Sequence, residues 1–91
     1  GRHAEAIESL RAALALRPDY ALAHDGLGVA LYSQGQIAEA TEHYRRAVQL
    51  EPGNVEARAH LAIALRQLLA MNPNQEVIKK ELTEIERQII N

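Results

Sequence analysis

The chain has 91 residues, with ten Lys and Arg against twelve Asp and Glu and a formal charge of −2 when histidine is neutral. That length leaves room for one small domain, and the charge supplies neither a basic stripe for nucleic acid nor an acidic block for a tail. Cysteine is absent, which excludes a disulfide framework and a thiolate metal site, and no apolar run approaches the roughly 18 residues of a membrane span.

Hydrophobic residues make up 47 %, yet Phe and Trp are missing and only three Tyr occur. A core of Ala, Leu, Ile and Val suits closely packed helices. In chain order, Ala6, Leu10, Ala13 and Leu14 recur at three- and four-residue steps and predict a helix over about 2–16, closed by Pro18-Asp19. Leu27, Ala30 and Leu31 predict a second over 21–34, which Gly35 can leave with positive φ. Ala40, Tyr44, Ala47 and Val48 predict a third over 37–50, ended by Pro52-Gly53-Asn54. A fourth spans 55–71 and a fifth 74–90. The connections are short, so successive helices run antiparallel.

A period overlies these helices. Residues 1–33 set over 35–67 give thirteen identities in 33 pairs, Ala6/Ala40, Ala13/Ala47, Pro18/Pro52, Leu27/Leu61 and Leu31/Leu65 among them. A fixed period of roughly 20–50 residues marks stacked repeats. Each two-helix unit cannot bury its apolar face alone, so units stack. Gly28, Ala40, Ala47, Ala57 and Ala62 let helix axes approach, while Leu27, Leu31, Tyr44, Leu61 and Leu65 fill the space between them.

With its 34-residue spacing, and with His24, Leu27-Gly28, Leu31, Ala40, Tyr44, Ala47 and Pro52 in place over residues 21–54, the chain resembles the tetratricopeptide repeat. It departs from the family pattern with His24 and Arg58 at the usual Trp position and Ala62 at that of Gly28. The resemblance implies an all-α fold, a right-handed α–α superhelix of about five antiparallel helices. Residues 1–20 would then be the second helix of a truncated repeat, 21–54 a complete repeat, 55–73 the first helix of a further one and 74–91 a closing cap. Gly1 matches Gly35, so the chain opens halfway through a unit. The faces of Ile7, Leu10 and Leu14 are then expected to be partly bare, covered by a preceding helix of a longer array or by a second copy.

The tail breaks the pattern. All sixteen Ala lie in residues 1–70, and both Lys, Lys79 and Lys80, lie beyond them. Continued unshifted, the period puts Asn74 at a small-residue place and Glu81 at a packing place. A shift of four residues, one helical turn, restores the fit and assigns Ile78, Leu82, Ile85 and Ile89 to the buried face. The helix from Val55 should therefore run about one turn longer than its predecessor, to Ala70 or Met71, with Asn72-Pro73-Asn74 opening the last helix. The polar face of that helix carries Lys79, Lys80, Glu84, Glu86, Arg87 and Gln88. The rival reading is a junction between unrelated segments.

Residues that carry chemistry are sparse. His3, His24, His43 and His60 show no metal-type spacing, and no metal or cofactor is expected. His24 is expected to pack as a half-buried ring, and an approach of His24 to His60 would make binding pH-sensitive. Glu5 and Glu39 recur at the period, which argues for a structural role at a positive helix end. Glu8/Arg11 and Glu42/Arg45 or Glu42/Arg46 read as same-helix pairs worth a few tenths of a kcal/mol. Only Ser9 and Ser33 occur as serines, neither in a nucleophile frame, and Gly26-x-Gly28 lies inside a helix, so no enzyme is expected. Gly26 costs the helix about 1 kcal/mol relative to Ala, for close helix contact or for room for a ligand backbone.

By the resemblance, the first helices of successive units line a concave groove for an extended peptide or a partner helix. The positions carried over are Leu22, Asp25, Gly26, Val29, Tyr32 and Ser33, then Glu56, Ala59, His60, Ile63, Arg66 and Gln67. The Lys and Asn set that clamps a terminal carboxylate in the family is missing, and so is an Asn ladder. Leu22, Val29, Tyr32 and Ile63 offer apolar contact, and Arg66 an anion or carbonyl grip. The expected function is a non-catalytic protein-interaction scaffold, placed in the cytoplasm, with a protein or peptide partner, no nucleic acid and no membrane. The alternatives are a self-associating homo-oligomer unit, natural or engineered, and a regulatory repeat region of a larger enzyme.

Overall fold

The computed structural model describes residues 2–90 (side chains 2–89) and contains five helices: α1 (Arg2–Leu16), α2 (Ala21–Ser33), α3 (Ile37–Leu50), α4 (Val55–Met71) and α5 (Glu76–Ile90). Gly1, matched above to Gly35, lies outside the described residues. Each helix packs against its neighbours in the chain, and α2 also touches α4. The connections at 17–20, 34–36, 51–54 and 72–75 are short enough that neighbours run antiparallel. The body measures 33 × 27 × 17 Å.

Local chemistry explains where the helices begin and end. Gly35 has φ of 81°, donates to Tyr32 O, and lets Gln36 N reach back to Leu31 O, both at 2.9 Å. These two bonds form the Schellman closure of α2, and its left-handed residue favours glycine. Asn54 caps α4 by accepting from Ala57 N at 3.1 Å. In α3, the buried Thr41 hydroxyl donates to Ile37 O at 2.8 Å, so it needs no other partner.

The core is built from the repeated positions. Leu27, Leu31, Leu61 and Leu65 are at most 1 % exposed, and Ala40, Ala47, Ala57 and Ala64 stand at the close approaches. Gly28 explains one approach. A Cβ there would lie 2.5 Å from Tyr44 Cε1, so the ring of Tyr44 occupies the space a side chain would need. Gly26 is different, since its Cβ would meet the Leu10 methyls at 3.5 and 3.6 Å, an ordinary contact. Gly26 thus faces α1 rather than opening room for a ligand backbone.

The four-residue shift of the tail has a structural basis. α4 has 17 residues against 13 in α2, one additional turn. α5 starts at Glu76, two residues later than the 74–90 reading, after a turn through Asn72, Pro73 and Asn74. Ile78 and Ile85 are buried and Leu82 is half-buried. Ile89 does not join them. It is exposed near the C-terminal end of α5. Lys79, Lys80, Glu84, Arg87 and Gln88 face solvent, whereas Glu86 is drawn in by Arg66.

Two of the same-helix ion pairs read from the sequence are replaced or narrowed. Arg11 reaches Glu39 on α3 at 3.0 Å, so its partner is on another helix and not Glu8. Glu42 pairs with Arg45 at 2.6 Å, while Arg46 turns toward Gln49. The cross-helix choice lets Glu39 serve α1 and α3 together. On α1 no residue is fully buried, and Ile7, Leu10 and Leu14 are half-buried against the core.

Candidate functional site

Helical spacing puts Val29, Tyr32 and Ser33 on one face of α2 and His60 and Ile63 on one face of α4. These five residues, with Tyr44 of α3 between them, line an open depression of about 200 Å³. Val29 and Ile63 are 41 % and 47 % exposed, so its rim is apolar and accessible. Tyr44 is nearly buried and tilts against the His60 ring at 5.4 Å between centroids. Burial pushes the Tyr44 phenol up to about 12, helped by the charge of Asp25 and by Tyr32.

Asp25 and His60 tie the two walls together. His60 Nδ1 lies 2.9 and 3.1 Å from the two oxygens of Asp25, which is largely buried. The carboxylate holds a proton on Nδ1, and neutral His60 therefore keeps Nε2 as an acceptor. His60 stands one period after Gly26, and Tyr44 one period after Leu10. The Gly26–Leu10 contact of the first unit thus becomes the His60–Tyr44 contact of the second.

The other groove residues fall into two groups. Ala59 is half-buried and Glu56 and Gln67 are exposed beside His60 on α4. Arg66 is engaged by Glu86 of α5, with Nε 3.2 Å from Oε2, so an anion that Arg66 grips, as read from the sequence, would compete with that carboxylate. Leu22 is separated from the depression. It is 64 % exposed and lines a second hollow of about 450 Å³ with Arg17, Asp19, Tyr20, Ala21, Leu50 and Glu51, where the α1–α2 and α3–α4 connections meet. There the Arg17 guanidinium sits 4.3 Å over the Tyr20 ring. The sequence reading missed Tyr44 as a wall of the groove, because its core position hides that one edge of the ring faces outward between α2 and α4.

The approach of His24 to His60 does not occur. His24 is buried, and it meets His43 rather than His60. His24 Nε2 donates to Pro18 O at 2.8 Å, which leaves Nδ1 to accept from His43 Nδ1 at 3.1 Å. His43 Nε2 then points toward Glu39 at 3.9 Å. Burial lowers the pKa of His43, the charge of His24 adds to this, and Glu39 opposes it. Arg58 stands at the place equivalent to His24, with a buried Nε that has no partner among the described residues. No group of three or more metal-ligating side chains gathers among the described residues, and none of their helices is long and apolar enough to cross a membrane.

Relatives share part of this sequence. Over 68 residues the chain is 35 % identical to the small glutamine-rich tetratricopeptide repeat-containing protein 2 of Mycosarcoma maydis, covering 75 % of this chain and 19 % of that one. It is 43 % identical over 58 residues to the peroxisomal targeting signal receptor of Eremothecium gossypii, covering 64 % of this chain and 10 % of the receptor. It is also 42 % identical over 65 residues to the probable biofilm formation methyltransferase WspC of Pseudomonas aeruginosa, covering 71 % of this chain and 15 % of that protein. The chain therefore spans no more than a fifth of the length of these relatives. The family model described as tetratricopeptide repeat matches residues 1–55, and with five helices stacked at that period the chain belongs to the tetratricopeptide repeat family.

Proposed function

We propose that this chain is a non-catalytic protein-interaction module whose groove between α2 and α4 takes an extended peptide or a partner helix. The observation that carries this reading is the open depression walled by Val29, Tyr32, Tyr44, His60 and Ile63, braced from behind by the Asp25–His60 bond. An apolar hollow with a few fixed polar groups suits peptide side chains. Tetratricopeptide repeats as a family are interaction modules, and one relative is by name a targeting signal receptor. α5, polar on its outer face, would cap the helices on that side, and 21–54 would be one complete repeat. The test compares partners captured by the native chain and by the double variant Val29→Asp/Ile63→Asp. Gln88→Asp, on the outer face of α5, serves as the control. Partners lost only with the double variant support the groove, and capture unchanged by it refutes the groove.

A second reading is self-association through α1. It is favoured by the absence of any fully buried residue on that helix and by Leu16, which is 86 % exposed. Light scattering over a concentration series separates the two, since a monomer at every concentration removes self-assembly. A third reading, a regulatory repeat region of an enzyme, has in its favour only the methyltransferase name of one relative.

A further inference from the structure

We infer, resting on the groove reading, that the ligand is a peptide segment that inserts one uncharged apolar side chain and sets a lysine or arginine beside it, and not an acidic segment. At about 200 Å³ the hollow is smaller than the roughly 300–1,000 Å³ of small-molecule sites, so it takes a single side chain rather than a cofactor. Val29, Ile63 and the rings of Tyr32 and Tyr44 give that side chain apolar walls.

The charges around the hollow choose what stands next to it. Arg66, the one Lys or Arg among the described groove residues, is paired with Glu86. Asp25 stays at His60 Nδ1, with its side chain 13 % exposed. Glu56, one helical turn before His60, is exposed and has no ion-pair partner among the described residues. The three carboxylates of Asp25, Glu56 and Glu86 outnumber the single guanidinium of Arg66, so the groove wall is acidic. An incoming carboxylate meets this field unfavourably, and an ammonium or guanidinium meets it favourably. His60 completes the recognition. Its Nδ1 proton is committed to Asp25, so the free Nε2 accepts from an amide N–H of the segment.

The experiment selects a displayed library of random-sequence peptides against the whole chain. The enriched sequences are then synthesised, and their affinity for the native chain, Ile63→Asp and Glu56→Lys is measured at low and high salt. The expected winners carry an aliphatic or aromatic residue with a neighbouring Lys or Arg. They lose at least about tenfold in affinity with Ile63→Asp, and about fivefold with Glu56→Lys or high salt. Winners that depend on Ile63 but are acidic, or are indifferent to Glu56→Lys, overturn this inference and leave the groove reading standing. An absence of any peptide that depends on Ile63 overturns both.

Discussion

The guanidinium of Arg45 on α3 grips the carboxylate of Glu81 on α5, Nε to Oε2 and Nη2 to Oε1, each at 2.8 Å. Both side chains are about three-quarters covered, and Glu42 supplies a second carboxylate to the same guanidinium. This two-pronged bond reaches over α4 to a helix two places on in the chain. It also explains Glu81, which an unshifted period would bury as a packing residue. Arg45→Ala should therefore loosen α5 more than the rest. The expected cost is about 1–2 kcal/mol, read as faster amide exchange in α5 with α2 and α3 little changed. Equal loss of protection in all helices would show that the bond does not anchor α5.

Two glycines in one helix turn should respond in opposite senses. Gly28→Ala drives a methyl into the buried ring of Tyr44. Overpacking costs about 1–3 kcal/mol, which exceeds the propensity gain of about 1 kcal/mol. Gly26→Ala meets the Leu10 methyls at ordinary contact distance and keeps that gain. Thermal unfolding should show a lower midpoint for the first and a higher one for the second. A higher midpoint for Gly28→Ala would mean that Tyr44 yields freely.

His43 sets an acid limit. Burial and His24 hold its pKa below 6.5, so the folded chain binds fewer protons than the unfolded one. The stabilising contribution is complete above pH 6.5 and is lost as pH falls through the folded value. Arg11 acts with His24 against the imidazolium, while Glu39 and Glu42 favour it. Denaturant unfolding between neutral and mildly acid pH should show declining stability, with a shallower decline in His43→Phe. Identical slopes would remove His43 as the cause.

Tyr44 sets an alkaline limit by the mirror argument. Its folded pKa is about 12 against 10.0, so the folded chain keeps a proton that the unfolded chain releases. Stability present below pH 10 is lost as pH rises toward 12. Tyr44→Phe keeps the ring against Gly28 and should flatten this alkaline decline. An unaltered decline would place its origin elsewhere.

The Asp25–His60 bond predicts a proton position. Neutral His60 should carry its proton on Nδ1, visible in long-range proton–nitrogen NMR correlations of the ring. Asp25→Asn should reduce that preference and weaken the link between α2 and α4. A proton on Nε2 in the native chain would contradict the geometry.

Much of the fold was legible because it depends on neighbours within a turn or two. Leu27, Leu31, Leu61 and Leu65 announced the buried stripes, Gly35 the left-handed exit of α2, and Pro18 and Pro52 the ends of helices. The four-residue surplus of α4 followed from the same spacing, because inserting one helical turn keeps Ile78 and Ile85 on the core face. The groove was legible in part, since Val29, Tyr32, His60 and Ile63 do meet around one hollow.

What only the tertiary structure decided is which polar groups face each other between helices. Spacing within one helix favoured Glu8 for Arg11, but the docking of α1 on α2, which itself packs on α3, brought Glu39 within 3.0 Å. The same packing gave His24 to His43, His60 to Asp25 and Arg66 to Glu86, and left Ile89 exposed. Helical periodicity specifies the face a side chain occupies. The partner across the gap depends on axial offset and rotation between two helices, and a single turn of displacement exchanges one partner for another.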